Sequence, residues 1–130
     1  METTGVLIDA CVFIEHFRSK NKDNTLFAKL IRQRRKLSVS AVAKYEVLAG
    51  AHERDMPEWQ RVFEDVTVLP FDDSTAMSGR GIYQQLKRDS KLIDIGDILV
   101  AATAIANDLP LATLNRKHFE RIRDLRLVVE

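Results

Sequence analysis

Asp9, Glu46 and Asp97 stand apart from the other acids of this chain because each is set in apolar sequence. Asp9 closes the run Val6-Leu7-Ile8. Glu46 lies among Val42, Ala43, Tyr45, Val47, Leu48 and Ala49, and Asp97 precedes Ile98-Leu99-Val100-Ala101-Ala102. Ionised carboxylates are rarely placed in apolar surroundings without a partner. Small residues accompany two of them: Ala49 and Gly50 follow Glu46, and Gly96 and Ala101 flank Asp97, leaving room for an ion, a water or a backbone. No basic residue is placed to neutralise them locally, and Lys44 points elsewhere on a helix carrying Glu46. Three carboxylates brought together without a counter-charge raise at least one pKa strongly, and a divalent cation removes that cost. An oxygen-only ligand set favours a hard cation, Mg²⁺ or Mn²⁺. Such an ion lowers the pKa of a water and neutralises charge on a phosphoryl oxygen, which is the chemistry of phosphodiester hydrolysis. Each acid alone also has an ordinary reading. Asp9 could cap a helix, Glu46 could face solvent, and Asp97 could sit at a helix N-terminus for its dipole. The metal reading requires all three to meet in one place.

The elements that must bring them together alternate along the chain. Val6 to Ile8 reads as a buried strand, followed by a helix from Cys11 to Phe17 with Val12, Phe13 and Phe17 on one stripe. A helix is predicted from Thr25 to Arg35, then a short strand at Leu37-Ser38-Val39. Ser40 is the expected N-cap of a helix from Ala41 to Ala49, stopped by Gly50. After Pro57 comes a short helix around Trp59 to Phe63, then a strand from Val66 to Leu69. Asp73 or Ser74 is expected to cap a helix to about Arg88, weakened by Gly79 and Gly81. The alanine-rich segment Asp94 to Asn107 reads as a helix, Leu111-Ala112-Thr113 as a strand, Arg116 to Ile122 as a short helix and Leu125 to Val129 as a last strand. Strands joined by helical crossovers imply an α/β fold: a three-layer α/β/α sandwich on a mostly parallel sheet of about five strands. Ligand sites in such sheets lie beyond the C-terminal strand ends, near the point where strand order reverses.

Composition bounds the remaining possibilities. A chain of 130 residues suits one domain, 1–130, and its 45% hydrophobic content argues against global disorder. A net charge of +1 provides no bulk attraction to nucleic acid or membrane, so any polyanion contact must come from local clusters. The single cysteine, Cys11, excludes an intrachain disulfide and a cysteine-based zinc site, and suits a reducing compartment. His16, His52 and His118 show no metal-ligand spacing. The longest apolar stretch, Ile98 to Ala106, is too short to span a bilayer, and the N-terminus shows no signal pattern. The expectation is a soluble, cytoplasmic domain.

Four segments carry a resemblance: Val6-Leu7-Ile8-Asp9; Val39-Ser40 through Tyr45-Glu46-Val47-Leu48-Ala49-Gly50; Ile95-Gly96-Asp97-Ile98-Leu99-Val100-Ala101-Ala102-Thr103-Ala104; and Leu111-Ala112-Thr113-Leu114-Asn115-Arg116-Lys117-His118-Phe119. In order and spacing they resemble the PIN-domain ribonucleases, specifically VapC-like toxins of bacterial and archaeal toxin–antitoxin pairs. The resemblance implies a metal-dependent endoribonuclease that cleaves RNA and inhibits translation, a cognate antitoxin as partner, and a homodimer. It carries Asp9, Glu46 and Asp97 over as the family's first three acids, with Asp9 and Asp97 as direct Mg²⁺ (or Mn²⁺) ligands and Glu46 as ligand or water-orienting base. The pattern departs at the family's fourth acid, where His118 stands, while Thr113 and Asn115 are retained. That substitution favours one tightly held metal with a weak or substrate-dependent second. His118 is either a group that orients a water or contacts phosphate, or a histidine on a short surface helix.

Of three basic clusters, Arg32/Arg34/Arg35/Lys36 reads as a solvated face, and Arg80/Lys87/Arg88/Lys91 is looser. The cluster holding Arg116 and Lys117, with Arg121, Arg123 and Arg126, follows Thr113 and Asn115, which makes Arg116 and Lys117 the candidates for RNA phosphate contact. Cys11 is expected as a small core residue, and Trp59 and Tyr83 as packing or interface residues. A competing reading keeps the fold without catalysis: an RNA- or partner-binding regulator that lacks the fourth acid. A phosphoacceptor or phosphatase is disfavoured because Ala10-Cys11-Val12, with no second acid, follows Asp9.

Overall fold

Short apolar segments that cannot face water on either side form the centre of the molecule. A computed structural model describes residues 5–128. In it β1 (Val6–Ile8) is buried at every position, and β2 (Leu37–Ser40) lies beside it. β3 (Thr67–Leu69) and β4 (Leu111–Ala112) complete a four-stranded, wholly parallel sheet in the order β3-β2-β1-β4. The sheet has four strands rather than about five. The expected last strand is reduced to one parallel bridge between Leu111 and Leu127, flanked by bonds from Leu111 N–H to the Arg126 carbonyl and from Val128 N–H to the Leu111 carbonyl. Tight turns continue to Leu125, whose N–H bonds the Ile122 carbonyl, so too little extended chain follows to build a ladder. Val129 lies outside the described residues.

Helices connect the strands and flank the sheet, as parallel pairing requires. They are α1 (Ala10–Arg18), α2 (Leu26–Arg32), α3 (Ala41–Ala49), α4 (Met56–Glu64), α5 (Asp73–Arg88), α6 (Ile95–Ala106) and the short α7 (Arg116–Phe119). Side-chain caps set their starts. Thr25 accepts the Ala28 N–H on α2, and Ser40 accepts the Ala43 N–H on α3. Asp72, not Asp73 or Ser74, caps α5, accepting both the Thr75 N–H at 3.0 Å and its hydroxyl at 2.8 Å. α2 ends three residues earlier than the apolar spacing predicts, because Arg34 turns the chain with a positive φ of 56°. α7 likewise stops at Phe119.

The core joins the sheet to these helices. Phe13 packs against Phe27 and Phe63 with ring centroids 5.4 and 5.0 Å apart, and the interior side of α6 (Val100, Ala101, Ala102, Ala104) is fully buried. Gly79 lets α5 approach α6, since a Cβ there would lie 3.6 Å from the Ala102 methyl. Gly81 faces open space, so close packing within the subunit does not explain it. The order places β2 on one side of β1 and β4 on the other. The C-terminal end of β1 is therefore the switch point where such folds open a crevice, and Asp9 is the first residue beyond it.

Candidate active site

Asp9 is held from several directions. It is 6% exposed, and its backbone N–H bonds the Ala112 carbonyl at the end of β4. One carboxylate oxygen accepts the Ala10 N–H at 2.9 Å as the N-cap of α1. The other accepts the Thr113 hydroxyl at 2.8 Å and the Cys11 thiol at 3.4 Å. The capping role and a place at the strand-end crevice thus coincide in one side chain. Pairing of β4 with β1 is what brings Thr113 across from Asp9.

From Thr113 a chain of contacts runs to the second acid. The Thr113 hydroxyl oxygen accepts the Asn115 N–H at 3.0 Å. The Asn115 side-chain amide lies 2.8 Å from His118 Nδ1, and the same nitrogen lies 3.3 Å from Asp97 Oδ2. Two ring states are available to that nitrogen. Bare, it accepts from the Asn115 amide; protonated, it donates to the carboxylate. Asp97 sits in the first turn of α6, so the dipole role and the site role again share one residue. Burial pushes its pKa up, the hydrogen bond from His118 opposes that, and the charge of Asp9 adds to the rise. The sequence shows no neighbouring cation for these acids. The fold brings the His118 ring to Asp97 from 21 residues away.

Glu46 arrives from α3. Its carboxylate hangs over the backbone of α6 at Gly96, where a Cβ would lie only 3.0 Å from Glu46 Oε2. Gly96 is thus the cradle that lets Glu46 reach the start of α6. The pKa of Glu46 is raised, first by desolvation and then by the charges of Asp9 and Asp97. The charges of Asp9 and Asp97 thus act on Glu46, and that of Asp9 acts on Asp97, while no Lys or Arg is among the groups shifting Glu46 or Asp97.

Among the described residues, no three His, Cys, Asp or Glu side chains are already drawn together closely enough to cage a metal ion. The arrangement is an open set of oxygen donors under mutual repulsion. Its donor type fits a hard, well-hydrated cation that contacts few carboxylates, with space kept clear at Gly96. Cys11 is not a simple core residue. It is half-buried, its sulfur lies beside Asp9 and Thr113 (3.6 Å), and it accepts the Leu114 N–H. Burial, then Asp9, push its thiol up to about 11, so it is a neutral group and no nucleophile. Sequence reasoning missed this place for Cys11, although its position two residues after Asp9 in the first helical turn carried the signal.

The remaining candidates divide. Arg116 donates to the Val128 carbonyl at 2.9 Å and lies 3.9 Å from Glu120, so its guanidinium is partly committed to anchoring the C-terminal segment. Lys117 is exposed. Arg121 donates to the Leu92 carbonyl, Arg123 pairs with Asp89, and Arg126 pairs with Asp108. Much of the cluster flanking Arg116 and Lys117 thus holds the fold together. Trp59 is buried and stacks on Phe17, while Tyr83 is partly exposed with Lys87 over its ring.

The β1 switch point thus carries Asp9, and Asp97 is linked to it through Thr113, Asn115 and His118. The PIN-domain family model matches residues 6–125, and the chain belongs to that family. It is 30% identical over 120 residues to Ribonuclease VapC19 of Mycobacterium tuberculosis, covering 92% of this chain and 96% of the relative. Its fold is that of the DNA-bound VapBC crystal structure from Salmonella typhimurium, with a TM-score of 0.83, 22% identity and coverage of 97% of this chain and 98% of that one. It also matches a toxin–antitoxin complex from Klebsiella pneumoniae, with a TM-score of 0.72, 21% identity and coverage of 93% and 95%.

Proposed function

We propose that this protein is a divalent-metal-dependent endoribonuclease, the toxin of a toxin–antitoxin pair, which hydrolyses RNA phosphodiester bonds and so inhibits translation. The observation that carries the reading is the chain of contacts from Asp9 through Thr113, Asn115 and His118 to Asp97, with Glu46 laid over Gly96 beside Asp97 and no Lys or Arg among the groups that shift Glu46 or Asp97. The name and full-length similarity of the VapC19 relative support RNA as the substrate. Asp9 and Asp97 are the ligands in this reading, with Glu46 as a third ligand or as the base. When bound, Mg²⁺ or Mn²⁺ would lower the pKa of a water and neutralise charge on the phosphoryl oxygens.

The protein's own groups have distinct tasks in this reading. Thr113 and the Ala10 N–H orient Asp9, and Asn115 and His118 orient Asp97. Glu46, with its raised pKa, is a better proton acceptor than an ordinary carboxylate and takes a proton from the attacking water. Lys117 and the remaining capacity of Arg116 contact the RNA backbone. A single tightly held metal suits a site with His118 in place of a fourth acid.

The antitoxin partner is supported by the toxin–antitoxin complex that shares this fold. The homodimer is supported by large apolar side chains left in solvent on the α5–α6 side, Met77, Tyr83 and Ile95. No helix among the described residues is long and apolar enough to cross a membrane. An RNA substrate places the protein's action in the cytoplasm.

The test is cleavage of cellular RNA by purified protein with Mg²⁺ or Mn²⁺, with the new ends sequenced. Wild-type protein is expected to cut, whereas Asp9→Ala and Asp97→Ala are expected to fold and not cut. Undiminished cutting by both variants, with contaminating nuclease excluded, would overturn the assignment of these acids. Failure of wild-type protein to cut any RNA, with the metals bound, would return the non-catalytic regulator to first place.

A further inference from the structure

Beside the acids, a cavity of about 200 Å³ opens between α1, α3 and the start of α4. Glu46 forms one part of its wall. Arg18, His52 and Asp55 supply the other polar groups, and the stacked pair Phe17 and Trp59 lines its apolar side. Arg18 is exposed at the end of α1 and makes no hydrogen bond or ion pair among the described residues. That freedom is unusual at a helix C-terminus, where an arginine commonly caps carbonyls. Here Lys22 has taken the role, donating to the carbonyls of His16, Phe17 and Ser19 at 2.8, 2.8 and 3.3 Å. Nor does Arg18 neutralise the acids that share its cavity. It pairs with neither Glu46 nor Asp55 within 4.0 Å, and it is not among the charges that shift Glu46.

A strand of RNA passing over Asp9, Glu46 and Asp97 must continue to either side, and each flanking phosphate brings a full negative charge toward three acids. A cation on the approach offsets that repulsion, and a guanidinium matches phosphate geometry with two parallel N–H donors. Most arginines of the cluster after Asn115 are engaged with carbonyls or carboxylates, whereas Arg18 is unengaged and opens onto the same cavity as Glu46. We infer that the Arg18 cavity is the RNA-backbone subsite flanking the scissile bond, with Arg18 binding the phosphodiester group that enters beside Glu46. The inference rests on the ribonuclease reading above and extends it to a residue outside the acid set.

The experiment is fluorescence anisotropy of a short labelled single-stranded RNA of mixed sequence, titrated with intact protein in EDTA so that the strand survives, across a series of NaCl concentrations. Acid repulsion then lowers every affinity alike, and differences between variants isolate the cation. Arg18→Gln is expected to weaken binding about tenfold at low salt. It should also reduce the slope of log affinity against log salt by about 0.7, the value for one lost contact to a single-stranded phosphate. Arg18→Lys should keep the slope, and Lys29→Gln, an exposed cation on α2 outside the cavity, should change neither quantity. An unchanged slope in Arg18→Gln with normal wild-type binding overturns this inference and leaves the ribonuclease reading standing. An equal effect of Lys29→Gln overturns it too, because the loss would then be one of general charge. A wild-type protein that binds no RNA at any salt concentration overturns this inference, whereas the ribonuclease reading falls only if the protein also fails to cut RNA with Mg²⁺ or Mn²⁺ present.

Discussion

Gly96→Ala separates activity from stability more sharply than removal of an acid would. Gly96 lies in the first turn of α6 with an ordinary negative φ, so alanine is accommodated by the backbone. Replacing glycine by alanine in a helix stabilises by about 0.5–1 kcal/mol, a rise of roughly 2–4 °C in Tm for a domain of this size. The added methyl, however, would stand 3.0 Å from Glu46 Oε2 and 3.8 Å from its carboxyl carbon. The carboxylate is the far end of a flexible side chain, so it yields by a few tenths of an ångström at small cost to folding. Misplacement of a catalytic group by 1 Å costs about a hundredfold in rate, so a shift of this size is expected to cost on the order of tenfold. Differential scanning fluorimetry and a fluorogenic RNA-cleavage assay on the same preparation measure both effects. A variant that melts higher and cleaves about tenfold more slowly supports the placement of Glu46 over Gly96. A variant that melts higher and cleaves at the wild-type rate refutes it, because Glu46 would then act from elsewhere or not at all.

Other perturbations probe the remaining parts of the site. Glu46→Gln removes a carboxylate whose pKa is raised in the folded state, so the wild-type group favours folding at low pH and that contribution is lost as pH rises through its folded value. In EDTA the variant should therefore melt above wild type at pH 7 and level with it below about pH 4, the region of the unfolded pKa; equal melting at pH 7 would contradict the repulsion. Thr113→Val leaves the Asn115 N–H and one Asp9 oxygen without their buried partner, at a cost of about 1–3 kcal/mol in urea unfolding and about tenfold or more in Mn²⁺ affinity by calorimetry. His118→Ala should reduce RNA cleavage less than Asp97→Ala does, since His118 orients the carboxylate and Asp97 is the proposed ligand; equal losses in single-turnover assays would make His118 a direct participant.

Much of this site can be read without coordinates, for a physical reason. A carboxylate at the end of an apolar strand or within an alanine-rich helix is costly wherever the chain folds, so Asp9, Glu46 and Asp97 announce themselves by local context alone. The caps of α2 and α3 and the alternation of strands with crossover helices are equally local, because they depend on neighbours a few residues away. Local pattern misleads where competition among distant segments decides the outcome. The C-terminal segment has the composition of a strand, but the turns before it leave only Leu127 in register with Leu111. The cap of α5 is a local exception: Asp72 stands one or two residues before the expected Asp73 or Ser74, because its carboxylate is the one that reaches the Thr75 N–H.

Type and spacing of residues along the chain determined that this protein is a parallel α/β domain with three acids set in apolar sequence. Tertiary structure alone decided what surrounds those acids. Pairing of β4 with β1 put Thr113 on Asp9, the turn into α7 put His118 on Asp97, and the approach of α3 to α6 laid Glu46 over Gly96. Each of these contacts joins residues at least 21 positions apart. Such contacts are chosen by strand order and helix packing across the whole chain, and no local pattern of residue types encodes them.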